Sequence, residues 1–571
     1  MAKTASVKTG SPRARRTYQT IDITEMSGGL DLRRSPTLLA ADRARVLMNH
    51  SLATPGELAV RAGYMQFSPT NLGSSRAQGG RRIYLASTQF TLWAWGGNVY
   101  RPPDNGGASS VIELGTGAIS THSETNQIYF PYDRTFVAIF DGANRPSKST
   151  GSTTWTLMGI DAGTVGSTAS SVSSGSLSAS EFEFGYTYKD RGLGHESNIS
   201  AVLTTRTMGA TGAMHLEIPN SSDGQVDAIV VYARNKTAGE TVLRKASSVT
   251  MQGTTAAGQH STIRIESSAW SANDEAPTNH NVPGAYPFAV VWKNRWWAPD
   301  GIVGNRLHFT ELFQPQSWPT LFYIDIPFEK GDEITALIAQ GDTLLVFGQS
   351  RVYLIIGQTS LDFEVKPSAG AQAGAVGPRA VALIENGVIH CSTEGVFIFD
   401  GATDKYLSFD IEPGWRDLMR SASAADIALI DVVYHFPYKE LRISVPRLYP
   451  RAAFGEWVLD LNRTRESGTP AWTDTNRTIG GYILWDGDEP TVGHRGRLLT
   501  WDSTGGRLFK ESTGTSANSS NMVAEYEGPH LAMGLHRARF IDVTGEFEPH
   551  TGNFTVETII DQVSQGGVSI Q

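Results

Sequence analysis

"EGVFIFDGATDKYLS", residues 394–408, decides the fold. An apolar aromatic run reaches Phe399, Asp400-Gly401 breaks it, and a second short run follows. Near-copies recur as "VAIFDGANRPSK" from Val137, "YILWDGDEPT" from Tyr482 and "LLTWDSTGGRLFK" from Leu498. A catalytic carboxylate is needed once or twice, whereas a fold of repeated hairpins needs its corners many times. Asp stabilises its own turn through its side chain, and Gly takes positive φ without steric cost. Asp141-Gly142, Asp400-Gly401 and Asp486-Gly487 are therefore read as turn corners. Asn386-Gly387, in "ALIENGVIHC", is a fourth, because Asn-Gly between apolar runs is a strong hairpin signal.

Outward from these corners the same scheme continues. "RRIYLASTQFTLWAWGGNVYR" (81–101) and "EITALIAQGDTLLVFGQSRVYLIIG" (333–357) each hold short strands separated by glycine-containing turns. Turns this dense predict antiparallel sheet, and small sheets in succession without a long helix predict a β-propeller of roughly five to seven blades. The chain has 571 residues, too many for one core unless that core is modular or closed on itself. Its 59 glycines and 26 prolines fit an all-β protein rich in turns.

The expected divisions follow composition. Residues 1–65 form a basic arm and an opening segment, in which "AADRARVLMN" is expected to be a short helix. Residues 66–161 begin the propeller, and 162–180 ("AGTVGSTASSVSSGSLSAS") read as a Gly/Ser/Thr-rich linker. An inserted β-sandwich spans 181–278, the propeller resumes over 279–510, and 511–571 add C-terminal strands of the same scaffold.

Charge and chemistry narrow the function. A net charge of −9 disfavours stable DNA binding through phosphates. No run approaches the roughly 20 apolar residues of a membrane-spanning helix. The start lacks an apolar run after its basic residues, so it reads as an arm rather than a signal peptide. Arg13, Arg15 and Arg16 in that arm, with Lys3 and Lys8, are read as contacts to a partner, either nucleic acid or, on the plainer reading of a solvated tail, a neighbouring subunit against which it orders. The single cysteine, Cys391, sits in an apolar strand and reads as a buried small residue. "FGQSRV" has Arg351 where a nucleophile elbow needs glycine, so Ser350 reads as a turn residue. His390 and His435 lie in apolar strands without metal-ligand spacing. No catalytic residue, metal or cofactor is expected, and the chain is read as no enzyme. Trp292, Trp296, Trp297 and Trp318 are either a sugar-stacking platform or core packing, with core the better reading in strands this apolar.

Taken in order, several stretches resemble the β-propeller tail nozzle and packaged-DNA stabilisation proteins of short-tailed bacteriophages. The opening Gly28-Gly29-Leu30, Asn49, Pro55-Gly56, Leu58, Arg61 and Gly63-Tyr64 are similar to that family's start. "FDGANRPSKSTGSTTWTLMGIDAG" (140–163), "NRLHFTELFQPQSWP" (305–319) and "VVYHFPYKELRISVP" (432–446) match in style. "YTYKDRGLGHESNISAV" (186–202) is similar to the family's immunoglobulin-like insert. The resemblance implies a structural virion protein of the tail. It would form a ring of subunits, commonly a hexamer, against an adaptor or connector and tail fibres. It would line and close the exit channel through which double-stranded DNA passes during ejection. Within the resemblance, a portal-proximal stabilisation or head-closure protein is the alternative position. A carbohydrate-binding propeller, either receptor-binding or glycan-hydrolysing, is the alternative from another class.

Overall fold

The computed structural model describes residues 28–54, 58–69, 71–73, 75, 77–111, 122–252, 259–270, 272–329, 331–371, 373–448, 453–486, 495–503, 505–513, 516–518, 520–528, 554–560 and 563–570. Two units are distinguished, one through Pro529 and one from His530. In the second, the described residues form one antiparallel hairpin, Phe554–Ile560 with Val563–Ile570.

Among the described residues, seven small sheets of antiparallel neighbours run in chain order through the first unit. The first holds Ala77–Tyr84, Gln89–Trp95, Asn98–Arg101 and Ser110–Val111. The second holds Val137–Ile139, Ser147–Ser149 and Thr156–Leu157, with Tyr129 and Tyr132 bridged to Phe140 and Val137 on its inner side. Val290–Trp292, Arg295–Pro299, Arg306–Phe309 and Tyr323–Asp325 make the third; Ala336–Gln340, Thr343–Phe347, Val352–Ile356 and Glu364–Pro367 make the fourth. The fifth runs from Val381–Ile384 through Gly387–Cys391 and Val396–Phe399 to Asp404–Tyr406. The sixth is Asp431–His435, Glu440–Leu448, Ala453–Asp460 and Ala471–Thr475. Ile479–Leu484, Leu498–Asp502 and Leu508–Lys510 form the seventh, whose outer strand is supplied by Met65–Gln66 from the start of the chain.

These sheets close a circle because each is apolar on both faces. In Thr343–Phe347, Leu344 and Val346 pack toward the third sheet while Leu345 and Phe347 pack toward the fifth. Trp296 and Trp297 divide the same way, the first against Phe136 and Phe140 of the second sheet, the second against the fourth-sheet side. A strand buried on both faces reads as an uninterrupted apolar run. Separate cores join the first sheet to the second, the fifth to the sixth, the sixth to the seventh and the seventh back to the first. In the last, Trp93 and Trp95 meet Ile483, Trp485 and Leu499. This is a β-propeller, and pairing of Phe509 and Lys510 with Gln66 and Met65 ties its last sheet to residues far away in sequence.

Between the second and third sheets lies a two-sheet sandwich. Thr168–Leu177, Gly212–Pro219 and His260–Ile265 form one layer; Glu181–Asp190, Ala228–Asn235 and Arg244–Thr250 lead the other. Phe182, Phe184, Leu216, Ile229, Val231 and Trp270 fill its core. Residues 162–180 are thus not a linker, since ten of them are an edge strand paired with Gly212–Pro219. That strand buries only Leu177, so its composition records solvent exposure, not lack of structure.

The opening segment also differs from expectation. No helix forms in "AADRARVLMN"; Arg43–Ala44 pairs with Gly29–Leu30, and Val46–Met48 joins the outer edge of the sixth sheet, with Glu525–Glu527 beyond it. Leu47 and Ala44 are fully buried there, and an edge needing partners overrides a weak helical pattern. Helices instead occur at Glu412–Ser421, Ala424–Ile427 and Leu461–Ser467. Trp415 and Leu418 of the first pack into the core between the fifth and sixth sheets.

Candidate functional site

The carboxylates that invited a catalytic reading are turn-makers. Asp400 Oδ1 accepts from the backbone N–H of Ala402 (2.9 Å) and Thr403 (2.8 Å), which hold its carboxyl below the usual range. Gly401 supplies the positive φ. Asp141 is buried and accepts from Ala143 N, Asn144 N and His122 Nδ1 at 2.9, 2.8 and 2.7 Å. Burial would raise its pKa, but His122 and Asn144 prevail and bring it to about 2. Two corners depart from expectation. The fifth-sheet hairpin turns at Glu385-Asn386, and Gly387 is already paired with Ile384; a Cβ on Gly387 would meet Phe399 O at 2.3 Å. At Asp486 the chain makes no tight corner, because Leu484 pairs with the distant Leu498; Gly487 lies outside the described residues.

The remaining candidates resolve by burial. Trp292, Trp296, Trp297 and Trp318 are 3%, 1%, 0% and 3% exposed, so their rings are core and offer no platform. Trp297 stacks on Phe309 and Trp296 on Phe136. Ser350 donates to Asp332 Oδ2 at 2.8 Å, and Gln349 N to Asp332 Oδ1 at 2.6 Å, as expected of a turn. His390 is bonded within the core to Gly374 O and Asp404 Oδ1. Burial moves His435 down to about 4, and Cys391 is buried with its thiol pushed up. Among the described residues no cluster of His, Cys, Asp and Glu could hold a metal ion. Arg13, Arg15 and Arg16 lie outside the described residues.

What sequence reading missed is a buried ionic seam where the opening segment meets the sixth and seventh sheets. Arg61 Nη2 donates to Glu440 Oε1 at 3.0 Å, and its Nη1 lies 3.8 Å from Glu456. Arg442 reaches Glu440 (3.2 Å), Glu456 (3.5 Å) and Glu511 (3.2 Å). Arg477 also pairs with Glu511, and its guanidinium lies 3.7 Å over the Tyr64 ring. Tyr482 Oη and Thr475 Oγ1 donate to Glu456 at 2.9 and 3.2 Å. Three arginines thus meet three glutamates out of water. Burial alone would raise the Glu511 and Glu440 carboxyls; at Glu511, Arg477 and Arg442 prevail and lower it to about 2, and at Glu440, Arg61 and Arg442 lower it too. Glu456, Glu440 and Glu511 lift Arg442 above its ordinary value against the effect of burial. These ion pairs fix three segments of the chain in one geometry. The available signal was "KELRISV", in which Glu440 and Arg442 alternate with Leu441 and Ile443 along a strand. Arg477 and Glu511 gave none.

A second cluster spans the middle of the ring. Arg379, leading into the fifth sheet, donates to Gln127 Oε1 beside the second sheet at 3.2 Å. Gln127 donates to Ala428 O at 2.7 Å, and Tyr129 Oη to Gln127. Arg379 Nε lies 4.0 Å from Asp431 of the sixth sheet, which accepts from Tyr482 N of the seventh at 3.2 Å. The second and fifth sheets are not neighbours in the circle, so this contact crosses its centre. Burial raises Asp431 to about 6 despite Arg379.

Neither the comparison with protein families nor that with curated proteins finds a match. Solved structures similar to this chain include that entitled "Crystal Structure of Mitotic Checkpoint Complex", with 10% identity over 80% of this chain and 98% of that one, at TM-score 0.32. Saccharomyces cerevisiae Sqt1 matches at 8% identity over 78% and 99%, TM-score 0.35. The Neurospora crassa Pan2 WD40 domain matches at 9% over 79% and 94%, TM-score 0.26.

Proposed function

We infer that this chain is a structural subunit of a short-tailed phage tail, acting as the nozzle that lines and closes the DNA exit channel. The observation that carries the reading concerns four residues of the opening resemblance that lock the circle of sheets; Pro55 and Gly56 of that resemblance lie outside the described residues. Gly29, at φ +88°, lies against the Ala471-Trp472 backbone. Asn49, at φ +59°, donates to Asn476 Oδ1 and Val523 O. Arg61 enters the seam, and a Cβ on Gly63 would strike Ser516 O at 2.2 Å. Such an opening serves a propeller that must not unzip under load.

Side chains bridge the centre of each propeller, so the DNA passage lies between copies in a ring, commonly six by the resemblance, and not through one subunit. The reading makes the chain a wall element without a reacting centre. Proteomics of purified virions and labelling of the chain in tail micrographs test it. The expected result is a few copies per particle at the tail tip. A chain absent from virions, or found only inside the capsid beside the portal, overturns the nozzle assignment.

A further inference from the structure

Exposed apolar side chains gather at one end of the third and fourth sheets. Loops joining first to second and third to fourth strands of an antiparallel sheet emerge at the same end. In the third sheet these are Lys293-Asn294 and 310–322; in the fourth, 341–342 and 357–363. Two bonds tie them together: Phe313 N donates to Asn294 O at 3.1 Å, and Lys293 Nζ to Gly357 O at 2.6 Å. Phe313 is 71% exposed, Leu321 82% and Leu361 97%, with Leu312 beside them.

Phe313 stands at φ +57°, an uncommon backbone for a bulky side chain. Its loop is braced to keep it there. Gln314 N donates to Glu311 O (3.2 Å) and Ser317 N to Gln314 O (3.0 Å). Trp318 is buried, and Gln316 accepts from Gly159 N of the neighbouring segment at 3.2 Å. An aromatic ring held rigidly in water has little further order to lose on binding, which suits it to anchor a contact. At the rim Asp342 and Asp362 are exposed; Asp342 lies 3.7 Å from Lys293, which is itself largely covered, as is Arg295.

The same chain carries a complementary segment. Residues 1–20 hold Lys3, Lys8, Arg13, Arg15 and Arg16 with no acidic residue, and Tyr18 and Ile21 follow the arginines. The described residues begin at Gly28, and Gly29 meets Trp472 at the sixth sheet, while the apolar end belongs to the third and fourth. From Arg13 to Gly28 the chain can extend about 50 Å. A contact between two different faces of identical copies is head-to-tail, the kind that closes rings.

We propose that the apolar, acid-rimmed end around Phe313 and Leu361 seats the N-terminal arm of a second copy of this chain, Tyr18 and Ile21 on the apolar residues and the arginines against Asp342 and Asp362. This rests on the reading of the chain as a ring subunit. Full-length chain with a photo-crosslinking phenylalanine in place of Tyr18 is mixed with isotopically heavy chain, assembled and irradiated. Ring formation is read by native mass spectrometry and crosslinks by peptide mapping. The expected result is light-to-heavy crosslinks to peptides holding Phe313 or Leu361. Their yield should fall at least tenfold in Phe313→Asp with the melting temperature unchanged; it should fall likewise when the three arginines of the arm are changed to glutamate, and be regained when that arm meets Asp342→Arg and Asp362→Arg. Rings whose arm crosslinks elsewhere, or only within its own copy, overturn this inference and leave the ring reading standing. A chain that forms no ring overturns both.

Discussion

The guanidinium of Arg61 lies 3.0 Å from the carboxylate of Glu440, a partner 379 positions along the chain. Through Glu440 it is joined to Arg442, and through Arg442 to Glu511 of the seventh sheet's outer side. One ionic cluster therefore fastens the beginning of the chain to the last part of the ring.

Removing the centre of that cluster leaves buried carboxylates without a counter-charge, a loss of about 3–5 kcal/mol. Arg442→Ala should lower the midpoint of urea unfolding accordingly or prevent folding. Glu385→Ala, removing an exposed partner of Lys439, should leave that midpoint essentially unmoved. Equal effects of the two would remove the seam from the account of ring closure.

Acid should open the seam late. Glu511 has its folded pKa lowered from 4.5 to about 2, so the unfolded state binds a proton first as pH falls. Its contribution is complete above about pH 4.5 and disappears as pH drops toward 2. Melting temperatures across that window should fall more steeply in the wild type than in Glu511→Gln, whose starting stability is lower.

Asp431 works in the opposite sense. Its folded pKa is raised from 3.8 to about 6, so the folded state takes up a proton that the unfolded state does not. Lowering pH from 6 to 4 therefore stabilises the protein through this group, offsetting His435, whose folded pKa is lowered to about 4 and which loses stability over the same range. Asp431→Asn should make the decline in melting temperature between pH 6.5 and 4 steeper. A shallower profile contradicts the assignment.

Trp297→Ala should cost about 3–5 kcal/mol, the usual loss for a buried large aromatic. All 13 tryptophans are buried, so emission of the native chain should be blue-shifted and poorly quenched by acrylamide. A folded Trp297→Ala variant of unchanged stability that had lost binding on a glycan array would restore the carbohydrate reading.

Gly401 and Gly387, two of the glycines of the fifth sheet, should differ. Gly401 has open space around it, so Gly401→Ala suffers only the backbone cost of positive φ, about 1–2 kcal/mol. Gly387→Ala also drives a methyl onto Phe399 O and should unfold at clearly lower urea. The order of the two midpoints is the check.

The strands, their hairpin corners at Asp141 and Asp400, and the closed circle of sheets were legible because they follow from local chemistry. Asp caps its own turn, Gly admits positive φ, and an unbroken run such as "TLLVF" marks a strand covered on both faces. Burial of Trp296 and Trp297 followed from the same pattern. Tertiary structure alone decided that Ser-rich 168–177 is an edge strand, that Val46–Met48 extends the sixth sheet in place of a helix, and that Arg61, Arg442 and Arg477 share Glu440, Glu456 and Glu511. An edge strand's fate depends on which neighbour offers free backbone groups. A buried charge survives only where its partners arrive, and here they come from the opposite end of the chain.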